Sequence, residues 1–201
     1  MCYQTKITKK REKLEEHFKA KLLELDDFIP GDVFKAFDFP KTPVITRTDP
    51  KQIQLYQWGL VPNWADSTWN KNYTLNARIE TLEEKKSFKN IVDNRCLILV
   101  NGFYEWQHVN NSKIKYEIGF NDELFALAGL YDTNGGVNTY TIITTEAKGI
   151  MRDIHNTKLR MPYAFKDLDN MQAWLHGDDI KPEFNFTTSP DLYKQQTLFG
   201  S

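Results

Sequence analysis

The sequence predicts a single α+β domain, on three observations. Between residues 95 and 145 four apolar, aromatic and β-branched stretches follow one another, "RCLILVNGFYEW", "KYEIGF", "LFALAGLYD" and "TYTIITT", and this is strand composition. Helical periodicity is confined to three separate stretches, so strands and helices do not alternate as a doubly wound parallel sheet requires. No internal repeat or low-complexity linker divides the 201 residues, a length that suits one domain with a substantial core.

From Thr8 to about Phe28, the apolar residues Leu14, Phe18, Leu22 and Leu25 recur at helical spacing, with lysines on the opposite face. "TPVITRT" and "QIQLYQWGL" read as strands, the second partly alternating Gln52 and Gln54 with Ile53 and Leu55. Thr81 and Glu84 complete an S/T-x-x-E capping box, which predicts a short helix ending near Val92. The four central stretches are the core strands, and "TNGGVN" supplies the glycines and asparagines of a hairpin turn. A last helix is expected over 167–176, where Leu168, Met171, Trp174 and Leu175 share a face.

A composition of 40% hydrophobic and 26% charged residues reads as soluble and globular. No apolar run approaches the ~20 residues of a membrane span, and no signal peptide is evident, so a cytoplasmic protein is expected. Two cysteines, Cys2 and Cys96, make neither a disulfide framework nor a CxxC spacing, which fits a reducing compartment and no metal site. Net charge is −1, unevenly spread: the first twenty or so residues lean basic, whereas "DLDNMQAWLHGDDIKPE" leans acidic. Such asymmetry suits an anion-binding face as well as a solvated helix.

The opening "MCYQTKI" places a thiol directly behind the initiator methionine. Removal of Met1 would give Cys2 a free α-amine beside its thiol, a 1,2-aminothiol. At pH 7 an α-amine is roughly 10–20% neutral, whereas a lysine is neutral about 0.04% of the time. The terminus is therefore the better amine nucleophile by about two orders of magnitude. An aldehyde can condense with that nitrogen, and the thiol can then close a five-membered thiazolidine. By position alone, Cys2 equally suits a buried or frayed residue without chemistry.

Three further stretches carry polar groups at strand ends. In "NARIET", Asn76 and Arg78 alternate outward on an extended segment. In "NGFYEW", Glu105 lies in an aromatic strand that would desolvate its carboxyl and fit it for acid/base work, or for a structural ion pair. In "DIHNTKLRMP", His155 precedes Arg160 and Pro162, and it is the best catalytic candidate of the four histidines, although a capping role also fits.

Taken together, the N-terminal Met-Cys, "WGLVPNWA", "NARIET", "FKN…RCLILVNGFYEW" and the late "IH…RMP" resemble the SOS response-associated peptidase (SRAP) family over residues 2–162. The resemblance implies one such domain over 1–201, built on a strongly curved, barrel-like, mostly antiparallel β-sheet flanked by helices, with a divergent tail over about 187–201. It implies a protein that shields abasic sites in single-stranded DNA by a covalent thiazolidine between Cys2 and the ring-opened deoxyribose. Carried over, Cys2 is the nucleophile, Asn76 orients the terminus and sugar, Glu105 transfers protons, and His155 assists ring opening and Schiff-base formation. Arg78 and Arg160 match phosphate contacts, and Trp64 an aromatic that packs on a base. A monomer without cofactor or metal is expected, associated with the nucleoid when bound to DNA.

Two departures stand out: Tyr3 occupies a position where the family commonly has glycine, and five residues, not two, separate His155 from Arg160. Two rival readings remain open. One is an N-terminal cysteine peptidase or amidohydrolase using Cys2, His155 and Glu105 or Asn76, although only Met1 precedes Cys2. The other is a non-covalent module for DNA discontinuities, whose binding would survive loss of Cys2 and weaken with salt.

Overall fold

The computed structural model describes residues 1–23 and 28–188. In chain order it begins with β1 (Gln4–Ile7), α1 (Arg11–Phe18), β2 (Lys21–Leu22), β3 (Gly31–Lys35), β4 (Lys41–Thr46) and β5 (Gln52–Trp58). The middle holds β6 (Asn76–Arg78), β7 (Arg95–Val100), β8 (Gly102–Val109), β9 (Ser112–Gly119), β10 (Phe125–Asn134) and β11 (Val137–Glu146). It continues with α2 (Met151–Ile154), β12 (Arg160–Pro162), β13 (Ala164–Phe165), α3 (Leu168–His176) and β14 (Thr187–Thr188).

Strands β11, β10, β7, β4 and β5 pair antiparallel in that order, and β5 then pairs parallel with β11 through Gln57–Thr139 and Trp58–Tyr140. This last pairing closes a barrel and leaves it no free edge. The expected curved, mostly antiparallel sheet is thus a closed one. A second sheet, in the order β14-β9-β8-β1-β3, packs beside it.

The run "RCLILV" shows how sequence makes this shape. Cys96, Ile98 and Val100 join one cluster with Val44, Trp58, Leu127, Tyr140 and Ile142, drawn from all five barrel strands. Leu97 and Leu99 join the other, with Leu14, Phe18, Phe165 and Trp174, beneath α1 and α3. Both faces are buried, so the strand is continuously apolar and does not alternate. Close packing reaches the backbone at Gly129 on β10, where a Cβ would overlap Ile98 Cδ1 and stand 2.7 Å from Thr141 O. The hairpin turn forms as expected: Gly135 and Gly136 take φ of 57° and 82°, which only glycine or asparagine tolerates readily.

The structure corrects three expectations. The first helix ends at Phe18, because Lys19 adopts a left-handed conformation (φ 54°) and Leu22 pairs with Ile53 in a strand; Leu25 lies outside the described residues. No helix spans Thr81 to Val92, where the backbone folds as successive short turns. Leu82, Phe88 and Ile91 all enter the outer core, yet on an α-helix Leu82 and Ile91 would lie on opposite faces, about 180° apart. Separate turns bring them to one side. The stretch "RCLILVNGFYEW" is two strands in two sheets, divided at Asn101, whose side chain accepts from Thr8 N–H and donates to Thr8 Oγ1. The last helix matches, with Asp167 capping its start and Gly177 its end. Of the divergent tail, Thr187 and Thr188 pair with β9, and 189–201 lie outside the described residues. No helix among the described residues is long and apolar enough to cross a membrane.

Candidate active site at the chain start

Strand β1 sits between β3 and β8, and this placement inserts the chain start into the mouth of the inner cluster. Cys2 is 0% exposed, packed within that cluster, and its thiol lies 3.7 Å from Gln4 O. Burial foremost, with the nearby Glu105 charge, pushes the thiol well above its ordinary pKa.

Three elements converge on the chain start, two of them on the Met1 amine. Glu105 projects from β8, with Oε1 3.4 Å from the ammonium nitrogen. His155, at the end of α2, places Nε2 at 2.9 Å from the same nitrogen and 3.8 Å from Glu105 Oε2. Asn76, on β6, donates from Nδ2 to Cys2 O at 2.9 Å, while its buried Oδ1 has no partner among the described residues. Parallel pairing of β6 with β11, Asn76 against Ile142, fixes this reach.

The electrostatics follow from burial. Desolvation raises the Glu105 carboxyl to about 7, against the pull of the amine. It lowers the amine, against the pull of Glu105. Desolvation and the neighbouring ammonium hold His155 down at about 4, so the imidazole is neutral at pH 7. Nδ1 faces both the carbonyl oxygen and the N–H of Arg160, at 2.9 and 3.1 Å; in the tautomer that donates from Nδ1 to Arg160 O, Nε2 is the acceptor towards the amine. One carboxyl near half-ionisation, one neutral imidazole and one weakened amine are the ingredients of proton transfer at neutral pH.

The long connection between His155 and Arg160 is rigidly held. Asn156 exchanges two hydrogen bonds with the His108 backbone, and Gln107 donates to Asp153 O, which pins the loop to the strand carrying Glu105. Leu159 turns the chain with φ 50°. Arg160 is 8% exposed, and its guanidinium grips both oxygens of Glu80, at 2.9 and 2.8 Å, as well as Thr144 O. The Nη groups of Arg160, expected to contact phosphate, are engaged within the protein in this geometry, and its buried Nε has no partner among the described residues. Its backbone instead brackets His155 Nδ1.

Arg78 is different: it is exposed, and no ion pair among the described residues holds it. Trp64 stands apart from the other candidates. It packs edge-on against Trp69 with Lys86 over its ring, in a loop tied to Asp132 and Asn134 near the β10–β11 turn. An open cleft of about 350 Å³ leads to the amine, lined by Met1, Tyr3, Glu105, Trp106, His155 and Lys158, with His108 and Lys113 at its rim. Lys113 and Lys158 are exposed and carry no ion pair among the described residues. Sequence reasoning missed this rim, although the β8–β9 register places His108 opposite Lys113 as soon as Glu105 is assigned.

The closed barrel thus holds the chain's own terminus at its mouth, between a carboxyl and an imidazole. The chain belongs to the SOS response associated peptidase (SRAP) family, whose model matches residues 1–196. It is 34% identical over 173 residues to the abasic site processing protein YoqW of Bacillus subtilis (strain 168), covering 80% of this chain and 75% of that one. It is 38% identical over 174 residues to the abasic site processing protein YoaM of the same organism, with the same coverage. It also resembles abasic site processing protein HMCES of Xenopus tropicalis, 32% identical over 153 residues, covering 62% of this chain and 45% of that one. Among solved structures, a protein from Bacteroides thetaiotaomicron superposes with a TM-score of 0.78 at 32% identity, covering 87% of this chain and 81% of that one.

Proposed function

We propose that this protein processes abasic sites in single-stranded DNA by capturing the sugar aldehyde on Cys2, once Met1 is removed. The relatives named for abasic site processing support the substrate class. The observation that carries the chemistry is the α-amine set 2.9 Å from His155 Nε2 and 3.4 Å from Glu105 Oε1. Loss of Met1 moves the amine inward by one Cα step, about 3.8 Å, and opens room for the aldehyde carbon between Cys2 N and those two side chains.

The neutral amine of Cys2 attacks C1′ of the open sugar and gives a carbinolamine. Glu105 in its acid form protonates the hydroxyl, which leaves as water, and an iminium remains. The Cys2 sulfur then adds to the same carbon, and its proton passes to His155 or the Glu105 carboxylate as the thiazolidine closes. Amine, thiol and aldehyde are consumed and one water is released. With Met1 in place, burial raises the thiol pKa, an environment that suits a sulfur acting second in its protonated form better than a thiolate that attacks first. The peptidase reading needs the latter. Asn76 holds the Cys2 carbonyl and offers its free Oδ1 to the amine or the sugar. Arg78, Lys113 and Lys158 carry the phosphates, and a single strand bends into the cleft more cheaply than stacked duplex.

An oligonucleotide with one abasic site, incubated with the mature protein and heated in denaturant, tests this directly. The proposal predicts a heat-stable adduct, mapped to Cys2, with single-stranded DNA reacting faster than duplex. An adduct on a lysine would refute it.

A further inference from the structure

Tyr3, where a glycine is common in the family, points into the cleft and is not used by the chemistry above. Its ring is half-buried and lies against Phe37, with centroids 5.1 Å apart and planes tilted by 31°. Phe37 is 56% exposed, on a short turn following β3. Tyr3 O–H approaches Met1 Sδ at 3.8 Å, so removal of Met1 frees the hydroxyl end of the ring of this contact. The pair is fixed from below: the Tyr3 carbonyl accepts from Ala36 N–H at 2.9 Å, which locks β1 to the turn that carries Phe37.

Tyr3 packs on the inner cluster by one part of its surface, whereas Phe37 is largely exposed and joins neither core cluster, yet the pair stands within one residue of the reacting terminus. We propose that Tyr3 and Phe37 form a stacking platform for a nucleobase next to the abasic sugar. This rests on the reading that the cleft takes abasic DNA, and it adds a recognition element for the neighbouring nucleotide. A nucleobase is the occupant argued for because the platform is continuous with the cleft that receives the sugar, and because every base offers a π-face to an aromatic ring whatever its sequence. The platform thereby seats the base and draws the empty sugar beside it towards Cys2.

The test compares two single-stranded oligonucleotides at concentrations below saturation. In one the abasic site has ordinary bases on both sides, and in the other both neighbours are baseless tetrahydrofuran spacers. The mature wild-type protein is expected to capture the base-flanked strand roughly 10-fold faster or more, as loss of one stacked base predicts. Phe37→Ala and Tyr3→Leu should bring that ratio close to one, whereas Phe37→Trp should preserve it. Capture of the spacer-flanked strand shows that each variant is folded and competent. A wild-type ratio near one, or a ratio undiminished in both Phe37→Ala and Tyr3→Leu, would overturn the platform. Failure of the wild-type protein to capture either strand would instead overturn the abasic-site reading on which it rests.

Discussion

Two segments reach the chain start along opposite edges of β11: strand β6, and the loop from α2 to β12. Each brings one polar group to the terminus, Asn76 from the first and His155 from the second, and each carries one arginine. The arginines look alike in sequence. In the structure, Arg78 is exposed and without an ion pair among the described residues, whereas Arg160 is buried, forked onto Glu80 and bonded to Thr144 O. The strand ends with its cation in solvent, where the proposed function has it meet phosphate. The loop is longer and spends its cation on holding itself, and hence the imidazole, in place.

The largest expected effect lies in the proton-transfer groups. His155→Ala and Glu105→Gln should each slow adduct formation by about 10²–10⁴-fold, with affinity for undamaged single strands nearly intact. Equal losses of rate and affinity in gel-shift and quench-flow assays would move both residues to structural roles. The pH profile separates them further. The Glu105 carboxyl, raised to about 7 by burial, must carry a proton to expel water, so capture should fall as pH rises through about 7. Below neutrality protonation of the amine takes over, and the profile is a bell. Glu105→Gln should lose its alkaline limb, and a limb that persists would assign the acid to another group.

Next in size is Arg160→Ala. It strands Glu80 and Thr144 O beside a cavity and should cost about 2–3 kcal/mol in urea unfolding. Capture should slow through the displaced His155. Arg78→Ala should change stability by less than about 0.5 kcal/mol. It should instead weaken DNA binding across sequences and reduce the slope of log affinity against log salt by about 0.7, as one lost phosphate contact predicts. If Arg160→Ala behaves as Arg78→Ala does, the contrast between the two segments is wrong.

The sequence made the four residues at the terminus legible because each carries a local signal: a second-position thiol, an asparagine on an outward alternation, a carboxyl among aromatics and a histidine before a break. The core strands were legible from their apolar runs. Partnerships between distant residues were not: that Arg160 meets Glu80 depends on β11 placing β6 and β12 on its two edges, which no local pattern encodes. The capping box at Thr81 misled for a related reason. Helix propensity there yields to the requirement that Leu82, Phe88 and Ile91 face one core. Trp64, an aromatic candidate by motif, is held by its loop towards the β10–β11 turn, where it packs on Trp69 and Lys86 and keeps part of its ring exposed.

The central claim is that the aminothiol of Cys2, and neither group alone, captures the aldehyde. Three N-termini decide it: mature Cys2, mature Cys2→Ala, and a form in which Met1 is retained so that the Cys2 nitrogen stays in an amide. Adduct yield on an abasic single strand is measured after heating, with and without borohydride. Mature Cys2 should give a heat-stable adduct without borohydride, Cys2→Ala an adduct only when borohydride traps the imine, and the Met1-retaining form none of the Cys2 adduct. Full heat-stable capture by the Met1-retaining form would contradict the account.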